Sequence, residues 1–199
     1  MILGTLNEEN CPFFSNWHFI FCYICTSNGT NKTSLLDKEQ QKMKIRFVVV
    51  GRTVEKYLVD ACAEYEKRIK KYIPFEFIVL KDLKNTANMP FDTIKQKEAE
   101  LLLPYLDTSS VRILLDEHGK EFTSVEFSSY VSKKISLQNK DITFIIGGPY
   151  GFDNQVYRKS DEKISLSKMT FSHQMVRLIF MEQLYRAFTI INNEPYHHE

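Results

Sequence analysis

Glycine and cysteine are scarce in this chain, at 7 and 4 of 199 residues, and neither sign of charge dominates. No apolar run approaches the roughly 18 residues that a bilayer span needs. Each shortage excludes something. A formal net charge of +1 leaves no whole-molecule electrostatic footprint for nucleic acid, so a polyanion has to be held by a local patch or by shape. The best apolar candidate, FIFCYIC from Phe19 to Cys25, is short and follows Glu8 and Glu9 instead of a basic segment, so no secretory signal is expected. Cys11, Cys22, Cys25 and Cys62 do not make a disulfide framework, and a reducing cytoplasm is the expected setting. Cys11 and His18, with the Cys22-x-x-Cys25 pair, offer four zinc-compatible groups. Cys11 and His18 form no second tight chelating pair, so no metal site is expected. The sequons at Asn28 and Asn31 matter only in a secreted protein, which nothing else suggests.

What is present begins in earnest at Met43. Residues 1–42 hold the only Trp and three of the four Cys, and they end in the polar stretch TSNGTNKTSLLDKEQQK. MKIRFVVVGR then reads as a start methionine, a buried strand and a turn. The functional domain is therefore expected to be 43–199, with residues 1–42 an N-terminal extension from an over-long reading frame.

Downstream, apolar runs of strand length alternate with helical periodicity. Strands are expected at Ile45–Val50, Phe75–Leu80, Val111–Leu115, Ile142–Gly148 and Ile164–Ser167. Leu58, Ala61, Cys62, Tyr65, Ile69 and Tyr72 mark one face of the first helix, which Pro74 stops. Further helices are expected before Pro104, from a Thr123/Glu126 capping box to about Ile135, over Asn154–Ser160, and at the carboxyl end. DEHGK, after the third strand, reads as a turn. The alternation predicts an α/β domain: a mostly parallel five-to-six-stranded sheet with helices on both faces. Open parallel sheets bind ligands beyond the carboxyl ends of their strands, which directs attention to Leu115–Gly119, Gly147–Gly151 and Leu166–Phe171.

IIGGPYGF lacks both the G-x-G-x-x-G fingerprint and the Lys-Ser/Thr that closes a P-loop. Pro149 also removes an N–H where a phosphate cradle needs donors. A flat or neutral ligand part, such as adenine or ribose, suits this loop better than a pyrophosphate, although a plain strand-to-helix turn has the same appearance. SLSKMTF, in turn, offers backbone amides, small hydroxyls, the polarizable wall of Met169 and the single charge of Lys168. Alone it also fits an ordinary connection.

Taken together, LLDEHG, FIIGGPYG, ISLSKMTFSHQMVR, EQLYRA and the terminal NEPYHHE resemble the ribosomal RNA large subunit methyltransferase H family, of the SPOUT class. The resemblance runs from Met43 to Glu199 with its motifs in order. It implies a C-terminal trefoil knot, an obligate homodimer and S-adenosylmethionine as methyl donor. The implied substrate is N3 of a pseudouridine in helix 69 of 23S rRNA, within the assembled ribosome. By position it places donor contacts on Leu115, Gly147, Leu166, Ser167, Lys168, Met169, Thr170 and Phe171. A catalytically silent ribosome-binding or assembly module on the same fold is the alternative, since fold alone does not determine function. A small-molecule nucleotide enzyme is disfavoured by Pro149 and the missing lysine.

N3 of a pseudouridine carries a proton that has to leave. Glu182 and Arg186 stand four apart on the last helix, as do His173 and Arg177, and ordinary ion pairing explains either pair equally well. The tail PYHHE reads alone as a frayed terminus. With the dimer implied by the resemblance, Tyr196, His197 and His198 are instead expected to reach a donor site, the partner's. The catalytic set is then His197 as base, Arg186 as substrate clamp, Glu182 and Tyr196. Lys67, Arg68, Lys70 and Lys71 form a basic helical face that is either simply solvated or in contact with rRNA phosphates.

Overall fold

Near-continuous runs of β-branched and aromatic residues fix the strands: IRFVVV cannot present a polar face and is buried on both sides. The computed structural model describes residues 43–138 and 140–196; the zinc-compatible cysteines, the two sequons, His197 and His198 lie outside them. Spatial contacts divide the chain into units Met1–Gln40 and Gln41–Glu199, and the described residues belong to the second.

The strands are β1 (Ile45–Val50), β2 (Phe75–Leu80), β3 (Ser110–Glu121), β4 (Asp141–Ile146) and β5 (Glu162–Ser165). They form one parallel sheet in the order β2-β1-β4-β3-β5: β1 and β2, and β3 and β4, lie side by side, while the connections from β2 to β3 and from β4 to β5 pass over intervening strands. The helices are α1 (Lys56–Ile69), α2 (Phe91–Leu102), α3 (Ser124–Gln138), α4 (Asn154–Lys159) and α5 (Met175–Ile191). One face of the sheet packs on α1, α3 and α5 around Phe47, Ile113, Phe144 and Phe180, with Phe180 centred 4.6 Å from Phe47 and 4.8 Å from Phe144. The other face packs Val48, Leu114 and Ile145 against Ala99 and Leu102 of α2 and Val156 of α4. The α/β class, the parallel sheet and the helices on both faces thus agree with the sequence reading; the strand count is five.

The Thr123/Glu126 box closes as expected: Glu126 N–H donates to Thr123 Oγ1 at 3.2 Å, and Thr123 N–H donates to Glu126 Oε2 at 2.8 Å. Two expectations need correction. DEHGK is not a simple turn, because β3 continues to Glu121. Its pairing with β5 shifts so that Ile164 is matched first by Leu115 and again by Lys120. A Cβ on Gly119 would lie under 3.0 Å from the N, Cα and C atoms of Ile164, so only glycine lets the two backbones approach this closely. The second correction is Arg177, which ion-pairs with nothing in the His173 spacing. It is 0% exposed and donates to the carbonyls of Val50 (2.7 Å) and Gly51 (2.9 Å) and to Thr53 Oγ1 (2.9 Å). Charge-assisted bonds of this kind compensate part of the desolvation of the guanidinium and lock the start of α5 to the end of β1.

Candidate functional site

The carboxyl ends of β4 and β5 and the Leu115–His118 stretch of β3 open on one cleft of about 740 Å³, within the range that holds a drug-sized ligand. Leu115 stands at its β3 wall, Gly147 at its β4 wall, and Leu166, Ser167, Met169, Thr170 and Phe171 along the crossing that leads to α5. Lys168 belongs to the same crossing but does not line the cleft. The crossing is shaped by its own hydroxyls: Ser165 Oγ donates to the Ser167 carbonyl at 3.0 Å, and Ser167 Oγ accepts the Met169 N–H at 2.9 Å. This is why a Ser-rich segment holds a defined shape without being helix or strand.

Charge at the cleft is mixed and slightly acidic. Asp116 and Glu117 line it opposite Lys95. Asp116 is held in place from two sides, accepting the His118 N–H at 2.8 Å and the Tyr157 hydroxyl at 2.5 Å. Burial and that bond push the Tyr157 phenol well above its ordinary value, so it stays a donor. A carboxylate at this wall favours a cationic ligand and opposes a polyphosphate. His173 also lines the cleft, and burial, then the nearby Arg177 cation, pushes its imidazole down, so it is neutral and able to accept a proton near pH 7.

Behind the glycine loop lies a group that the sequence did not single out. Glu98 of α2 is 6% exposed, and its Oε2 has no hydrogen-bond partner among the described residues. A Cβ at Gly148 would sit under 3.0 Å from the Glu98 carboxyl, so glycine and carboxyl are packed face to face. Burial pushes the Glu98 carboxyl up from its ordinary value of 4.5, opposed by the Gly148 N–H. In the window between 4.5 and that raised value the folded state keeps a proton that the unfolded chain has lost, so stability falls as pH rises. Glu98→Gln is expected to remove this contribution. Urea midpoints of the two proteins, compared from pH 4 upward, should diverge in favour of the glutamine variant as pH increases.

A second cluster lies on α5, away from the cleft. Arg186 donates to Glu182 Oε1 from Nη2 at 2.5 Å and from Nε at 3.0 Å, and its guanidinium lies 5.0 Å from the centre of the Tyr196 ring. The Tyr196 hydroxyl is 3.4 Å from both Glu182 Oε1 and the Tyr65 hydroxyl, and the latter bond, with burial, raises its phenol to about 12. Tyr72 donates to Glu194 at 2.7 Å. The tail up to Tyr196 is therefore tied down and does not fray. None of Glu182, Arg186 or Tyr196 lines the cleft of its own chain: Arg186 is eleven residues beyond the start of α5, about 16 Å along the helix.

A family model described as predicted SPOUT methyltransferase matches residues 43–197. The chain is 57% identical over 157 residues to the ribosomal RNA large subunit methyltransferase H of Phocaeicola vulgatus, and 55% identical to that of Parabacteroides distasonis. Each alignment covers 79% of this chain and 100% of the relative. The chain belongs to the ribosomal RNA large subunit methyltransferase H family. The tRNA (m1G37) methyltransferase of Aquifex aeolicus superposes with a TM-score of 0.45 at 19% identity, covering 78% of this chain and 75% of that one, and adds nothing to the assignment.

For a member of the methyltransferase H family, the cleft brings together seven of the eight expected donor-binding residues, while the expected catalytic set gathers elsewhere on α5, with His197 outside the described residues. Sequence reasoning reached Asp116 only as part of Leu115–Gly119 and missed Tyr157 and Glu98; Tyr157 at least had a signal, since α4 was expected to follow the glycine loop directly. No group of three or more His, Cys, Asp and Glu side chains placed to hold a metal occurs among the described residues, and no described helix is long and apolar enough to cross a membrane. The basic face is half neutralised locally, with Arg68 paired to Glu64 at 3.0 Å and Lys70 to Glu66 at 2.6 Å; Lys67 and Lys71 are exposed.

Proposed function

We propose that this chain transfers a methyl group from S-adenosylmethionine to N3 of a pseudouridine in helix 69 of 23S rRNA, acting in the cytoplasm on the assembled ribosome as a homodimer of domain 43–199. The observation that carries it is the convergence of three strand ends on one cleft with an acidic wall and no phosphate cradle. That cleft suits a donor with a sulfonium cation, an adenosine and no phosphate. When bound, S-adenosylmethionine supplies an electrophilic methyl whose departure needs no acid.

The chain's own residues then have four tasks. Leu115, Gly147 and the crossing Leu166–Phe171 bind and orient, Gly147 through close backbone approach and the half-buried Leu115 and Phe171 as apolar walls. Asp116, oriented by Tyr157, offsets positive charge at the β3 wall. Arg186, stacked on Tyr196 and held by Glu182, clamps the substrate and favours the anion left when N3 loses its proton. His197 takes that proton. Because the α5 cluster does not line its own chain's cleft, a second copy delivers it. The reading includes the trefoil knot that the family resemblance implies, and the neutral charge balance supports recognition of a formed particle in preference to naked RNA.

Labelled methyl should pass from S-adenosylmethionine to intact ribosomes that carry the pseudouridine and not to ribosomes lacking it; equal labelling of both would overturn the substrate assignment. His197→Ala is expected to lower turnover by about 100-fold or more at unchanged donor affinity, in the range of general acid-base catalysis. Unchanged turnover would move the base to His173, already at the cleft and neutral.

A further inference from the structure

Beside the donor cleft two large aromatic side chains are left in solvent. Phe91, the first residue of α2, is 62% exposed, and Tyr150, in the glycine loop, is 44% exposed. Their rings stack on each other with centroids 4.3 Å apart and planes 27° from parallel. Tyr150 lines the cleft, and so does Lys95, one helical turn beyond Phe91 on the same side of α2. Among the described residues Lys95 is engaged by Asp92 alone, at 2.8 Å, and the Asp92 side chain is 86% exposed. A solvated pair of that kind contributes little and yields readily to a stronger anion.

Neither ring belongs to the buried core, so the stack leaves aromatic surface open to solvent. It matches the chemistry of single-stranded nucleic acid recognition, in which bases stack on aromatic faces and cations follow the backbone. We propose that Phe91 and Tyr150 form a stacking platform for an unpaired base of the substrate RNA, at the mouth of the donor cleft, with Lys95 receiving the adjoining phosphate. The platform rests on the reading of the substrate as RNA. The stack lies at the β4 end of the cleft, so a base held there flanks the reacting nucleotide without occupying the donor's place. Phe91 itself does not line the cleft, and its removal leaves the donor's contacts in place.

The test compares the full chain with F91A and F91W, using assembled ribosomes that carry the pseudouridine, S-adenosylmethionine titrated by calorimetry, and oligouridylate as a competitor. Loss of one stacked base is expected to raise the KM for ribosomes about 5- to 150-fold in F91A, with donor affinity and kcat within about twofold of the parent. F91W should restore KM, and oligouridylate should inhibit the parent more than F91A. A parent enzyme that methylates ribosomes beside an F91A variant of equal KM would overturn the platform alone. Donor affinity falling in step with KM would assign the rings to the donor and overturn it too. Equal inhibition of both proteins by oligouridylate, with KM raised in F91A, would place a ribosomal protein on the stack instead of a base. A parent that methylates no ribosomes defeats the substrate reading and the platform with it.

Discussion

Gly119→Ala is expected to remove donor binding and to lower stability by roughly 3 kcal/mol, at the upper end of overpacking costs. The added carbon would meet three backbone atoms of Ile164, and backbone cannot rotate away as a side chain can. Relief therefore requires β5 to move away from Lys120, and Ser165 moves with it. Ser165 Oγ shapes the crossing through the Ser167 carbonyl, so the displacement reaches the donor wall directly. Calorimetry with S-adenosylmethionine and a thermal melt should both register the change. A variant that melts with the parent and binds the donor normally would show that the double pairing of Ile164 is not needed for the cleft.

Arg186→Ala is expected to lower turnover on ribosomes by about 1,000-fold while leaving donor affinity within twofold, since charge stabilisation of this kind is commonly worth several powers of ten. Its loss leaves Glu182 Oε1 without its strongest partner and Tyr196 without the cation stacked on its ring. Arg186→Lys should recover little, because an ammonium cannot reproduce the planar fork that holds Glu182 and covers Tyr196 together. A single-turnover measurement, which separates donor binding from transfer, checks both variants. Equal loss of donor affinity and turnover would place Arg186 in the structure of the cleft and not in the substrate clamp.

Much of this molecule could be read from its pattern. Runs such as IRFVVV and FEFIVL declare their own strands, and the bounds of β1 and β2 coincide with the apolar stretches. The Thr123/Glu126 spacing announced the start of α3 because a capping box is a local device. What escaped was set by contacts distant in sequence. Residues 116–120 are polar and read as a turn; they extend β3 only because Ile164 returns alongside. Glu98 sits in KQKEAE, which has the look of a solvated helix face, and becomes buried only when Gly148 closes over it. Arg177 stands four residues from His173, and that spacing suggested a surface pair. Its partners are backbone carbonyls more than a hundred residues upstream, which no local spacing can reveal. The residues expected to hold the donor were legible as strand ends, but the α5 cluster was identified through family resemblance and not through periodicity.

In the proposed function the cleft formed by β3, β4 and β5 is a donor site that a second chain completes. Titrating S-adenosylmethionine into the purified protein by calorimetry, with its mass followed by light scattering, tests this most directly. Saturable binding by a dimer, lost in Gly119→Ala and kept in Arg186→Ala, is the predicted result. A monomer that releases no heat on mixing with S-adenosylmethionine would contradict it.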